Sequence, residues 1–384
     1  MTLIGSNRLA IRAVLIATIV GFMGIGLVDP ILVSISQGLH ATPSQVSLLF
    51  SSYFFITAMM MLATDYTANH LGLKRTMVLG SLAISLFALA CGTATSVYQL
   101  IGYRSGWGLG NALFVATALT LLVTLSHDNR ARPIKYYEAA LGAGIACGPL
   151  LGAALGQMSW RYPFIGTAIL MLVAGGAITK WVPRTPSKRH PGRGLVALKA
   201  LRTPYLLYIS LAAFFYNFVF FTILAYAPFV LHLDVVSVGV VFFGWGLALA
   251  ITSTIVTTKW KTHQTPKTIL TVCMVVLFIL MLLMACLVRT TIPQRGWLSV
   301  GVILCGAWFG VVNTLFTELA LETPNCDTSV SSAAYNFIRW LGGAIAPFII
   351  TTLGEHYGAE WSFALAAVFA IIALLIVKRI PQPQ

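Results

Sequence analysis

Residues 138–156 read EAALGAGIACGPLLGAALG, and this stretch indicates the fold class of the whole chain. Gly144, Gly148 and Gly152 recur at every fourth position. Residues four apart lie on one face of an α-helix, so the stretch predicts a helix with a bare ridge that a second helix can approach closely. Pro149 removes one backbone hydrogen bond and bends this helix near its middle. An apolar helix of this length is typical of a membrane span.

The rest of the chain is also rich in apolar residues and poor in charged ones. Of the 384 residues, 58% are hydrophobic and 9% are charged, and the mean hydropathy is +0.88. Soluble domains carry about 25% charged residues, so this chain has too few charges to cover the surface of soluble domains. Arg8 and Arg12 precede an apolar run that is too long for a cleaved signal peptide, which predicts a retained first span. The six cysteines show no metal-binding spacing, so neither a metal nor a cofactor is expected.

Apolar segments of membrane-spanning length recur along the chain. A span needs about 20 apolar residues, and proline, glycine and polar residues separate one segment from the next. The sequence therefore predicts an all-α membrane protein with twelve transmembrane helices. The predicted spans are 10–35, 44–66, 76–95, 98–125, 136–157, 162–182, 205–231, 238–258, 268–288, 296–319, 329–353 and 360–377.

Lysine and arginine are distributed unevenly among the loops. With the N-terminus in the cytoplasm, 19 of the 24 lie on the cytoplasmic side, three lie in outer loops, and Arg104 and Arg339 fall within spans. Cytoplasmic loops of membrane proteins carry such an excess of positive charge. The bias explains the net charge of +14 without a nucleic-acid partner, and it predicts that both termini are cytoplasmic.

The longest polar stretch divides the predicted spans into two groups of six. It covers residues 183–203 and contains six lysines or arginines. We therefore expect an N-terminal half at 1–182, a cytoplasmic basic linker with a short interfacial helix, and a C-terminal half at 204–384. The linker is either a solvated connector or a site for lipid headgroups or a regulator. Two six-helix halves predict a cavity between them, as in duplicated transporters.

Two stretches resemble motifs of the drug:proton antiporters of the major facilitator superfamily. One is the glycine–proline signature of the fifth span, and the other is the arginine-containing motif of the fourth span, LIGYRSGWGLGNA at residues 100–112. The resemblance implies the major facilitator fold, a monomer in the bacterial plasma (inner) membrane, and small molecules and protons as partners beside the lipid bilayer. The matching residues are Gly144, Gly148, Pro149 and Gly152 in the fifth span, and Arg104, Gly108 and Gly110 in the fourth.

A third motif of this family is altered in this chain. The loop after the second span corresponds to residues 65–74, DYTANHLGLK, in which Gly72 and Lys74 match the family pattern. Asn69 stands where the family has an aspartate, and Asp65 lies one turn upstream. Asp65 either replaces the missing carboxylate in the charge relay at this hinge or is an ordinary acidic residue near a helix end.

Four ionisable residues are predicted inside spans, where a charge is costly and by default marks a functional site. At about 1.5 Å per residue, Asp29 and Arg104 lie at similar depth, roughly 9 Å from the outer ends of their spans. They are expected to face each other, either as the proton-coupling centre or as a static structural pair. Glu138 is the next coupling candidate, although it can also reach the inner interface. Arg339 lies near the middle of the eleventh span.

Polar and aromatic residues of several spans are candidates for substrate binding. The aromatic residues of the seventh, eighth, tenth and eleventh spans either face lipid or line a hydrophobic cavity that stacks flat organic molecules. The candidate substrate contacts are Asp29, Trp107, Asn111, Asn217, Asn336 and Arg339.

Three functions fit these observations. The leading hypothesis is a secondary transporter that exports hydrophobic or cationic organic compounds in exchange for protons, by alternating access. The alternatives are a carrier for a specific metabolite, such as a sugar or an amino acid, and a non-transporting membrane sensor on the same fold. The sequence contains no GxxxxGK[ST] phosphate loop, so no ATP-driven pump is indicated, and it shows no HExxH motif and no Ser-His-Asp spacing that would indicate an enzyme.

Overall fold

The computed structural model describes residues 2–126, 131–184, 194–289 and 295–381. Within these ranges the chain is helical and contains no strand. Twelve of the described segments are long and apolar enough to cross a membrane. The predicted all-α class with twelve spans is therefore confirmed.

The first of the six N-terminal spans is broken near its end. Its main helix stops at Gly26, and a 3-10 turn that contains Pro30 precedes a short second helix. All residues of the turn are buried, as non-helical backbone at membrane depth must be. The elements are α1 (Thr2–Gly26), the 3-10 turn (Asp29–Ile31), α2 (Leu32–Gly38), α3 (Pro43–Leu71), α4 (Leu73–Thr93), α5 (Val97–Leu125), α6 (Ala131–Gly156) and α7 (Tyr162–Trp181).

The C-terminal spans follow a short connecting helix. The eighth span contains one turn of π-helix at Thr252–Val256. The elements are α8 (Gly194–Ala200), α9 (Pro204–Leu231), α10 (Val235–Ile251), α11 (Thr257–Trp260), α12 (Pro266–Arg289), α13 (Arg295–Leu321), α14 (Thr328–Tyr357) and α15 (Ala359–Lys378).

The predicted span limits agree to within about four residues with the apolar segments that are long enough to cross a membrane. The third span begins at Leu73 rather than at residue 76, because a single residue with a φ of 83°, Gly72, separates it from the second span. The eleventh span continues to Tyr357 rather than 353, since its helix extends past the apolar segment into polar residues. The break in the first span was not predicted.

The helix bundle has two ends. We call the end that contains Gly72 and Val182, next to the linker, the linker end. The opposite end, which contains His40 and Gly358, is called the far end. Spans alternate in direction between these ends. The six N-terminal spans pack mainly on one another, as do the six C-terminal spans. The two groups meet along two long helix pairs, α3 with α14 and α6 with α10.

Helix α8 lies within the predicted linker. Residues 185–193 of that linker lie outside the described part of the chain, and the helix expected near residues 195–201 is found at Gly194–Ala200. It packs against both α3 and α14, with Ala197 buried. The connecting segment thus contacts both groups of spans at the linker end.

Candidate functional site

The glycine ridge of α6 packs against the first span. A Cβ atom on Gly144 would lie 2.5 Å from the carbonyl oxygen of Ile19, and one on Gly148 would lie 2.6 Å from that of Met23. Gly152 faces the Leu27 carbonyl even more closely. No side chain larger than hydrogen fits at these distances. The ridge therefore lets α6 contact the backbone of the first span where that span breaks.

The opposite face of α6 packs against α10 of the other group. A Cβ atom on Gly246 would lie 2.6 Å from the Cα of Ala146, and one on Gly239 would lie 3.0 Å from the carbonyl oxygen of Pro149. Helix α6 thus lies between the two groups, with small residues on both faces. Sequence reasoning missed this second contact, although the spacing of Gly239 and Gly246, two helical turns apart, is a usable signal.

Asp29 lies on the 3-10 turn that breaks the first span. Its side chain is completely buried, and neither carboxylate oxygen has a hydrogen-bond partner among the described residues. The turn contacts α6 and also α9 and α10 of the C-terminal group. A Cβ atom on Gly152 would lie 3.0 Å from the Pro30 ring, so the glycine ridge holds this turn in place. The carboxyl group therefore lies at a junction between the two groups of spans.

Arg104 is buried between two aromatic rings. Its guanidinium carbon lies 4.4 Å from the ring centroid of Tyr53 and 4.5 Å from that of Trp107. None of its three side-chain nitrogens has a hydrogen-bond partner in the described chain. The negative faces of the two rings stabilise the positive charge in this apolar environment.

Asp29 and Arg104 do not form the direct pair that the sequence predicted. No hydrogen bond joins the carboxylate to the guanidinium, because the guanidinium stacks on the aromatic rings instead. The two groups nevertheless lie in one core and interact electrostatically. Trp107, on which Arg104 stacks, packs against α1, since a Cβ atom on Gly24 would lie 2.7 Å from its ring. The two side chains are thus buried in the same group of spans without a hydrogen bond between them.

A cavity lies between the two groups of spans. Its free volume is about 50 Å³, well below the roughly 300–1,000 Å³ of sites for drug-sized ligands, so the cavity is narrow in this state. Helices α1 and α6 form one wall, and α9, α10, α13 and α14 form the other. The described lining is mainly apolar and aromatic, and its polar residues are Asn217, Asn313 and Arg339.

Aromatic and polar contacts close the bundle between α3 and α14. The ring of Phe54 stacks on that of Trp340, a lining residue of the cavity, and its centroid lies 4.2 Å from that of Phe221. Nearer the far end, the hydroxyls of Ser47 and Thr351 are 2.7 Å apart, and the next contact is a 2.6 Å hydrogen bond from the Ser44 N–H to Glu355. These contacts close this side of the cavity toward the far end.

The predicted substrate contacts lie in separate places. Asn217 and Arg339 line the cavity, and the Asn217 amide donates a hydrogen bond of 2.8 Å to the Arg339 carbonyl oxygen. Trp107 and Asn111 are buried within the N-terminal group and are not among the described lining residues. Asn336 hydrogen-bonds to Ser332 of its own helix.

Sequence reasoning missed two residues of the cavity region. Asn313 is an amide in an otherwise apolar part of the tenth span, and the argument that selected Asn217 applies to it equally. Phe54 has no such signal, because aromatic residues are common in membrane spans.

The altered loop after the second span joins two helix ends. Gly72 adopts a φ of 83°, which favours glycine, and ends α3. The Lys74 ammonium donates to the carbonyl oxygens of Thr179 and Val182 at the C-terminus of α7, where a cation is stabilising. Lys74 therefore ties the third span to the sixth. The side chains of Asp65 in α3 and Glu138 in α6 lie outside the described part of the structure.

Comparison with known sequences extends over almost the whole chain. A model of the Major Facilitator Superfamily matches residues 14–347. The chain is 42% identical over 371 residues to the multidrug efflux protein YfmO of Bacillus subtilis (strain 168), covering 97% of this chain and 93% of that protein. It is 29% identical over 155 residues to the quinolone resistance protein NorA of Staphylococcus aureus (strain MRSA252), covering 40% of each.

Solved structures with the same fold cover both groups of spans. A D-xylose–proton symporter superposes with a TM-score of 0.82 at 15% identity, covering 99% of this chain and 98% of that one. A bacterial homologue of the human lysosomal transporter Spinster, inward-facing and unoccupied, superposes with a TM-score of 0.79 at 14% identity, covering 97% and 96%. At these identities the likeness concerns the fold alone.

Proposed function

Since this chain belongs to the major facilitator superfamily, we propose that it exports hydrophobic organic compounds in exchange for protons. The chain is a multi-pass bacterial membrane transporter and not an enzyme. The observation that carries the proposal is the aromatic cavity between the two groups of spans, together with a buried carboxyl group on a turn that contacts both groups. The similarity to a multidrug efflux protein supports the substrate class.

The two groups of six spans act as the halves that move against each other. They meet along α3–α14 and α6–α10, and both pairs contain small or stacked side chains that permit sliding or separation. The contacts of Ser47 with Thr351 close the far end in this state. The linker end is cytoplasmic, in agreement with its excess of lysine and arginine. The transporter thus takes substrate from the cytoplasmic side and releases it after the far end opens.

Asp29 is the residue that takes up and releases the proton. Its turn contacts α9 and α10, so separation of the halves at the far end changes the water and charge around the carboxyl group. Arg104 supplies a fixed positive charge nearby and favours release of the proton when the site is hydrated. Glu138, which precedes the glycine ridge on α6, is the second candidate.

The cavity fits a hydrophobic substrate better than a sugar. A sugar carrier needs several hydrogen-bonding groups around the ligand, because each buried hydroxyl without a partner is costly. The described lining offers two amides and one guanidinium among aromatic and aliphatic walls. The likeness to a D-xylose symporter shows the fold and does not extend to its substrate.

Everted membrane vesicles test the proposal. We expect vesicles with an acidic interior to accumulate a neutral hydrophobic dye such as Nile red above the level in vesicles without the transporter. Collapse of the pH gradient with nigericin should abolish the difference. Accumulation that is equal with and without the gradient would contradict proton exchange, and no accumulation of any hydrophobic dye would contradict export.

A further inference from the structure

We propose that the contact between the Glu355 carboxylate and the Ser44 N–H is a latch that holds the far end closed, and that a proton taken up by Glu355 from the far-end side releases it. The inference rests on the proposed export function and adds to it a second protonatable group, apart from Asp29. It gives the proton gradient a role in opening the far end as well as in driving exchange.

The N-terminus of α3 leaves one backbone N–H group for a partner from elsewhere in the chain. The first N–H groups of a helix have no acceptor within that helix. Pro43, the first residue of α3, has no N–H, and the Thr42 side chain accepts from the N–H of Gln45 in a capping box. The Ser44 N–H between them remains, and the Glu355 carboxylate of α14 accepts it at 2.6 Å.

The Glu355 carboxylate interacts with a helix end of the other group of spans rather than with a cation there. Residues 43–64 of α3 contain no charged side chain. A negative charge is stabilised at a helix N-terminus by the helix dipole, and a hydrogen bond to a charged acceptor is about twice as strong as a neutral one. Since α3 and α14 belong to different groups, this interaction crosses the interface that separates when the far end opens.

The latch lies one helical turn outside a second contact between the same two helices. Ser47 of α3 and Thr351 of α14 are fully buried, and their hydroxyls are 2.7 Å apart. Glu355 is exposed to solvent at the far end. A proton in that solvent therefore reaches Glu355 directly, whereas the deeper contact carries no charge for it to remove.

Protonation of Glu355 favours the open far end. The proton removes the negative charge at the helix N-terminus and leaves a neutral acceptor, so the bond to Ser44 becomes weaker. The closed form therefore binds this proton less tightly than the open form, in which the carboxyl group is in water. Because a ligand shifts a population towards the form that binds it better, acid shifts the population towards the open form.

Other ionisable groups lie around Glu355 on both sides of the interface. On its own side they are His356, Glu360 and Tyr226, and on the α3 side they are His40 and Tyr98. The first three belong to the same group of spans as Glu355, so they accompany it in both the closed and the open form. The Tyr98 hydroxyl accepts from the capping box, and protonation of His40 adds positive charge on the α3 side, which cannot release a carboxylate. Loss of the Glu355 charge is therefore the change by which acid weakens this latch.

Charge variants of Glu355 test the latch by double electron–electron resonance. Spin labels replace Met158 and Trp297, which are exposed at the far end on different groups of spans, in the whole chain without its six native cysteines. At about pH 7.5 we expect Glu355→Gln to raise the long-distance population about two- to fivefold, as for loss of a favourable charge at a helix N-terminus. Glu355→Lys should raise it further, because a positive charge is repelled there.

Glu360→Gln is the matched control. Glu360 is also acidic and near the far end, but it lies in the first turn of α15, and its replacement leaves the bond between Glu355 and Ser44 in place. Its distance distribution should match that of the wild type. Unchanged distributions in both Glu355 variants would contradict the latch. Equal opening in Glu360→Gln would show that negative charge in general, and not the bond to Ser44, keeps the far end closed.

The same measurement in acid tests release by protons. At about pH 4.5, where glutamate side chains in general become protonated, the wild-type distribution should approach that of Glu355→Gln, and Glu355→Gln itself should change little. An equal acid response in Glu355→Gln would assign the response to another group such as Asp29, and a wild-type protein that does not respond would contradict release by protons. Export of Nile red is measured separately, so failure of the latch is distinguishable from failure of the proposed export function.

Discussion

The ring of Phe54 on α3 stacks on the ring of Trp340 on α14, with centroids 5.1 Å apart and planes inclined by 9°. The two residues belong to different groups of spans, and both are buried. Trp340 also lines the cavity. The stack therefore lies between the cavity and the hydrogen bonds that join α3 and α14 nearer the far end, and in the proposed export cycle it breaks before substrate leaves there.

Removal of this stack should favour opening of the far end. An aromatic pair contributes about 1 kcal/mol beyond its buried area, so Phe54→Ala should raise the population of the open form severalfold. Spin labels at Tyr98 and Tyr357, both exposed near the far end, report the separation of the groups. We expect double electron–electron resonance to show a longer distance population in Phe54→Ala.

The neighbouring Phe55 provides the matched control for that measurement. Its side chain is 49% exposed, whereas that of Phe54 is fully buried. Phe55→Ala should leave the distance distribution unchanged. Identical distributions in Phe54→Ala and the wild-type protein would show that the stack does not hold the far end closed.

A large side chain on the glycine ridge should impair transport more than insertion. In Gly148→Leu the new side chain would meet the Met23 carbonyl and push α6 away from the broken part of the first span. We expect at least about a tenfold lower transport rate per molecule in the membrane, because displacement of packed helices carries a large cost. Immunoblotting of membranes normalises the rate to the amount inserted.

Gly102 is the control position for the ridge. No atom lies within 4 Å of a Cβ atom built on it, so the Gly102→Leu protein should insert and transport like the wild type. Normal transport by Gly148→Leu would show that the close approach to the first span has no part in the transport cycle.

The linker end should be cytoplasmic. In a variant without the six native cysteines, Lys199→Cys lies on exposed α8 and Met158→Cys lies in an exposed far-end loop. A membrane-impermeant maleimide added to intact cells should label the cysteine at position 158 and miss the one at 199. The opposite pattern would invert the topology and with it the proposed direction of transport.

Most of the helix positions could be predicted because each span is a long apolar run between polar or proline-containing turns. The break at the end of the first span was missed, since residues 27–32 are apolar apart from Asp29 and Pro30, and a proline alone does not distinguish a kink from a 3-10 turn. Counting residues from the outer ends of the first and fourth spans correctly predicted that Asp29 and Arg104 are both buried inside the bundle. The stacking of Arg104 on Tyr53 was not predicted, because that ring comes from a distant part of the chain.

The cavity could be predicted only in part. Asn217 and Arg339 were identified because polar groups in spans are costly unless they are used or paired. Which faces of the aromatic spans line the cavity depends on how α9, α10, α13 and α14 pack, and a helix that is apolar on all sides carries no periodic signal for this. For the same reason the sequence did not indicate that Phe54 reaches across to Trp340.

Coupling of export to proton entry should depend on Asp29. Asp29→Asn removes the titratable group with little change in shape, and Glu322→Gln removes an exposed carboxylate at the linker end as a control. Purified variants should elute as folded monodisperse protein before reconstitution. Two transport modes then separate coupling from substrate movement, namely accumulation driven by a pH gradient and exchange of internal for external substrate without a gradient.

The most direct measurement is accumulation of substrate in everted vesicles with an acidic interior. We predict that Asp29→Asn loses accumulation against a concentration gradient and retains substrate exchange, while Glu322→Gln retains both. If Asp29→Asn accumulates substrate at the wild-type rate, Asp29 is not the coupling residue, and the broken first span does not couple proton entry to export.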